Sequence, residues 1–108
     1  HGRGLIVEFK LQKPLVLEPA VGDQPAKTIA VLTLKLEELT GADVEFCARE
    51  ATVAGGGSPI AVLTLDVVFH AQVAARASGL PVEALRRLSA VDFLGLTTAV
   101  QGFLFGTG

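Results

Sequence analysis

The sequence predicts an α+β fold, an N-terminal β-hairpin followed by three to four α-helices, and three observations carry that expectation. Apolar and polar residues alternate twice in the first 36 positions, with turn residues between the two runs. Helix starts and stops then recur from Thr40 onward at the spacing of helices rather than strands. Finally, Ser78 to Phe93 reads as three helices meeting. The 108 residues are expected to form a single domain, with the hairpin at about 5–36 and the helical part at about 40–105.

Leu5 to Gln12 places Leu5, Val7, Phe9 and Leu11 on one face and Ile6, Glu8, Lys10 and Gln12 on the other, the pattern of a half-buried strand. Pro14 has no N–H to give a ladder, so it bends or ends this strand, and Leu15-Val16-Leu17 is placed to continue beyond it at a sheet edge. Gly22-Asp23, between Pro19 and Pro25, marks the turn. Thr28 to Leu36 alternates again, with Ala30, Leu32, Leu34 and Leu36 facing one way and Ile29, Val31, Thr33 and Lys35 the other. A two-stranded hairpin is marginal alone in water, so its apolar face is expected either on the helices or against another subunit.

Thr40-Gly41-Ala42-Asp43 is a helix start, with the Thr hydroxyl accepting from first-turn amides and Asp43 where the helix dipole favours negative charge. Val44, Cys47, Ala48 and Ala51 follow at helical spacing with Phe46 on the flank, until Gly55-Gly56-Gly57 ends the run. Those glycines lack the Lys-Ser/Thr pair of a phosphate loop and read as a linker. Ser58-Pro59 is a second helix start. Beyond it, Ile60 to Leu65 repeats the hexapeptide Ile29 to Leu34 that has just been assigned to a strand. The flanks differ, and the second copy runs into the alanine-rich Phe69 to Ala77, so Pro59 to Ser78 is expected as one long helix stopped by Gly79 and Pro81. Its apolar residues lie almost all round, which indicates burial between neighbours. Asp66 and His70 share a face of it and are read as a local pair or partner contact, there being no further ligand at metal-site spacing.

A short helix carrying Leu85 and Leu88 comes next, and Ser89 with Asp92 three residues on starts the last helix, Ala90 to about Phe105. Glu83 and Asp92 are both read as helix-start residues. Leu96, Ala99, Val100 and Phe103 form one stripe of the last helix, and Gly95 and Gly102 share a face. Each glycine costs about 1 kcal/mol relative to Ala, so close approach of a neighbour is expected there. Phe93, Phe103 and Phe105 are half of the chain's six Phe. They are either core or an interaction surface.

Composition excludes several classes. Hydrophobic residues make up 50% and charged residues 19%, which rules out a disordered chain and leaves little polar surface to cover a monomer, so a partner is expected. With a net charge of −2 and no basic stripe, nucleic acid is not an expected ligand. Cys47 is alone and reads as a small core residue. Thr33, Lys35, Asp66 and His70 interrupt the apolar runs, so no membrane span is expected, nor is a signal peptide visible. With no Met in the chain, the natural start is expected to lie outside it and His1 to be foreign to it. No catalytic constellation, metal site or cofactor site is expected; a small enzyme using Asp66, His70 and Cys47 is the weaker alternative.

The strand ending near Lys13-Pro14-Leu15, the strand around Leu32-Thr33-Leu34, the helix start at Thr40 to Asp43 and the stretch from Ser78-Gly79-Leu80-Pro81 to Asp92-Phe93-Leu94 resemble the phage tail assembly chaperones of Mu-like and related tailed phages. The linker at Gly55 to Gly57 and the repeated hexapeptide are not features of that resemblance. It implies a non-enzymatic protein of the bacterial host cytoplasm that binds the tape measure protein and keeps it soluble before tail tube polymerisation. It further implies a homo-oligomer and, in many members, a frameshifted longer form. A groove formed by the last helix and its neighbours is the expected client site, with Phe93, Leu96, Val100, Phe103 and Phe105 as anchors, since a helical client presents apolar residues at matching spacing. A structural or tail-completion virion protein forming a helical oligomer is the alternative reading.

Overall fold

The structure is a computed structural model and describes residues 6–56 and 66–105. Its elements are β1 (Val7–Glu18), β2 (Lys27–Leu34), a 3-10 turn (Leu36–Glu38), α1 (Gly41–Ala54), α2 (Val67–Ser78), α3 (Val82–Leu85) and α4 (Ala90–Leu104). An antiparallel hairpin followed by four helices is the α+β arrangement expected.

Pro14 does not end the first strand. β1 runs through it because the pairing slips there: Lys10 pairs with Val31 and Leu15 with Ile29, so Leu11 to Pro14 stand opposite Ala30 alone. A bulge of this kind leaves backbone N–H groups outside the ladder, and a residue without one fits it. The slip also changes which residues of β2 face inward. Leu32 and Leu34 are buried as expected, but beyond the slip Ile29 is half-buried and Ala30 exposed, the reverse of simple alternation. At the far end Val21 and Gln24 exchange backbone hydrogen bonds of 3.1 and 2.8 Å across Gly22-Asp23. Gly22 takes φ 56° and no described non-glycine residue has positive φ, the pattern of a type II′ hairpin turn.

Of the two places open to the apolar face of the hairpin, the helices take it. Leu15, Leu32, Leu34 and Leu36 join Phe69, Val73, Ala74, Leu85, Leu96 and Val100 in one buried cluster. α2 lies at its centre, packing against α1, α3, α4 and β2. Phe69 to Ala75 are all buried without a break, as is Ala77, and the small alanines allow the neighbouring elements to approach closely.

α2 begins at Val67, and not at Pro59 as the alanine-rich context suggested. Asp66 is extended (φ −84°, ψ 123°) and its Oδ1 accepts the Phe69 N–H at 3.0 Å. A carboxylate that satisfies a first-turn donor from this position makes a helix start of its own, one turn before His70. The other start signal, Ser58-Pro59, and the repeated hexapeptide fall at 57–65, outside the described residues. At the other end Gly79 adopts φ 77° and its N–H reaches the Ala75 carbonyl, the left-handed stop that the Gly-Leu-Pro run predicts. α1 carries the expected start in full: Asp43 Oδ2 accepts the Thr40 N–H at 2.8 Å and Thr40 Oγ1 accepts the Asp43 N–H at 3.4 Å. None of the described helices is long and apolar enough to cross a membrane.

Candidate functional site

α4 is set against the hairpin by three contacts. Asp92, 2% exposed, has its N–H capped by Ser89 Oγ at 3.2 Å, the helix-start role expected of it. Its carboxylate does something that local reading does not suggest: it crosses to the bulge of β1 and accepts the Gln12 N–H at 2.9 and 3.0 Å and the Lys13 N–H at 3.0 Å. These are the donors that the slip in pairing has freed from the ladder, and the two N–H groups hold the Asp92 carboxyl below its ordinary pKa. Gly95 lies over Phe9, where an added Cβ would stand 3.0 Å from the ring tip, so the close approach expected at this glycine is made by a side chain of β1. Just before α4, Arg87 Nη2 donates to the Val16 carbonyl at 3.0 Å.

This attachment decides which face of α4 is inward. Leu96 and Val100 are fully buried in the shared core. Phe93 and Phe103 are half-buried against it, and Phe105 just beyond the helix is 45% exposed. The five residues expected to anchor a client are therefore not on one surface. On the opposite side Val91 (62% exposed) and Leu94 (59%) precede the exposed Thr98, and Phe105 completes the stripe at helical spacing. Apart from Asp92, α4 has no charged residue, so its outer face is uncharged along its whole length. Val91 and Leu94 were not among the expected anchors. Their three- and four-residue spacing is visible in the sequence, but so is that of Leu96 and Val100, and spacing alone cannot rank two apolar faces.

A recess lies between α1 and the α2–α3 junction, with a volume of about 770 Å³. At its mouth Arg76 Nη2 meets Asp43 Oδ1 at 2.6 Å while its guanidinium lies 4.5 Å from the centre of the Phe46 ring. The Thr40 N–H and this guanidinium both lower the pKa of Asp43. Asp66 and His70 are separated in role: Asp66 caps α2, and His70 is buried with its ring centroid 5.7 Å from that of Phe69. Cys47 is buried under α2, which pushes its thiol pKa up to about 11 and makes it a poor nucleophile. Among the described residues no three His, Cys, Asp or Glu side chains are grouped to hold a metal ion.

A sequence profile of the family described as phage tail assembly chaperone proteins, E, or 41 or 14, matches residues 8–104. No curated protein and no solved structure matches the chain.

Proposed function

The chain belongs to the phage tail assembly chaperone family, with a role in tail assembly, and from that membership we propose that its client is the tape measure protein, held soluble until tail tube subunits polymerise around it. The observation that supports this best is the outer face of α4, where Val91, Leu94 and Phe105 stand exposed with no charge among them. An amphipathic helix presents apolar side chains at three- and four-residue spacing, and an uncharged stripe of matching period receives it without close reading of its sequence. In this reading Phe105 is the aromatic anchor, Phe93 and Phe103 border the contact, and Leu96 and Val100 shape it from beneath. The role is non-enzymatic, it is exercised in the host cytoplasm, and the chain works as a homo-oligomer, with a frameshifted longer form as a further partner.

Co-expression with a tape measure fragment tests the proposal. Phe105→Ala and Leu94→Asp alter exposed side chains, so both variants are expected to stay folded by circular dichroism. They are also expected to leave the fragment insoluble. A fragment kept equally soluble by both folded variants would falsify the site. Recovery of the chain in finished tails, in place of its absence there, would favour the structural or tail-completion role.

A further inference from the structure

The recess between α1 and the α2–α3 junction contains a buried polar side chain that the described residues leave unsatisfied. Gln72 is 7% exposed and lines the recess, and its carboxamide has no hydrogen-bond partner among the described residues. By contrast the buried side chains of Asp92 and Thr97 are paired, to the bulge of β1 and to the Leu94 carbonyl. A buried amide without a partner destabilises the folded chain, and Met would fill a similar volume without that loss. Such groups are uncommon in folded proteins and call for a partner that arrives from outside.

The walls indicate what the partner is. Arg76, one turn beyond Gln72 on α2, is engaged by Asp43 and lies on Phe46, and Lys35, Glu38 and Glu50 also line the recess, so both signs of charge stand in its walls. Half-buried Leu39 and Leu80 supply apolar sides. The volume lies within the range of about 300–1,000 Å³ usual for ligand sites. A ligand with one hydrogen-bond donor beside one acceptor matches the Gln72 carboxamide, and a residue of an extended polypeptide is that ligand: its own C=O accepts from Gln72 Nε2 and its own N–H donates to Oε1.

We propose that this recess binds a short segment of the client polypeptide through its main chain, with Gln72 as the hydrogen-bonding residue. The proposal rests on the tape measure reading above. It adds a second contact of a different kind, since main-chain hydrogen bonding holds a chain regardless of its side chains. The outer face of α4 takes apolar side chains, and the recess takes the backbone.

The test uses the full chain and overlapping labelled peptides that span the tape measure protein of the same phage. For Gln72→Met the free protein is expected to melt at the same or a higher temperature, while peptide affinity measured by fluorescence anisotropy falls about 3- to 10-fold. In the unaltered chain the side-chain amide resonances of Gln72 are expected to shift as peptide is added. If peptides bind but Gln72→Met binds them as tightly and those resonances stay still, the recess proposal is wrong and the tape measure reading stands. If no peptide binds the unaltered chain, both are overturned.

Discussion

α2 and α4 are both apolar helices, and the more apolar of the two, α4, is the less buried. α2 is enclosed because its alanines let neighbours close in from every side. α4 carries larger side chains on both faces but is fixed to the hairpin along only one of them, through Asp92, Gly95 and its buried Leu96 and Val100. Apolar character therefore measures how much a helix has to bury, while side-chain size and fixed polar contacts decide how much of it is buried within the chain. The remainder stays exposed, as Val91 and Leu94 do.

Substitutions on the two faces of α4 are the sharpest way to break this contrast. Leu96→Ala removes a fully buried side chain and is expected to cost about 2–5 kcal/mol in urea unfolding, through lost transfer energy and the cavity left behind. Ala74→Leu asks whether α2 is as tightly enclosed as its burial implies. Overpacking at this fully buried position should cost about 1–3 kcal/mol, and a neutral result would mean that the neighbours of α2 can move apart.

Asp92→Asn tests the fixed contact itself. One carboxamide oxygen replaces a carboxylate that serves two N–H groups, so thermal melting is expected to fall. The effect should depend on pH. Because the folded carboxyl titrates below its ordinary value, its stabilisation is complete above about pH 4–5 and is lost as pH falls through the lowered folded value. The unaltered chain should therefore lose a component of stability on acidification that Asp92→Asn lacks; parallel melting curves from pH 7 to pH 3 would contradict the assignment. Asp43 is lowered in the same direction, so part of the acid sensitivity should persist in the variant. The smallest effect on stability is expected for Leu94→Ala, within about 0.5 kcal/mol because the side chain is exposed.

Much of this fold is written in local signals. The two alternating runs, the Thr40-Asp43 and Ser89-Asp92 starts and the Gly79 stop each involve residues close enough in sequence for a pattern to reveal. What is not legible has a physical reason in each case. Pro14 signals a disturbance in β1, but the group that makes a bulge favourable there is a carboxylate 80 positions away from Gln12. Ser58-Pro59 and Asp66 both resemble helix starts, and periodicity cannot choose between competing caps. Which of the expected anchors are exposed is legible only in part. Phe105 lies at the end of the apolar run and is exposed, whereas the inward placement of Leu96 and Val100 depends on which face of α4 meets Phe9 and the bulge.

The clasp between Asp92 and the bulge also sets an order of events. β1 leaves the ribosome long before Asp92, so the hairpin can pair while the Gln12 and Lys13 N–H groups still face water. They acquire their carboxylate only once Asp92, 80 positions after Gln12, has been made. The outer face of α4 thus comes into place only after the hairpin has been made, and a chain truncated before Ser89 would keep every strand residue yet present no such face.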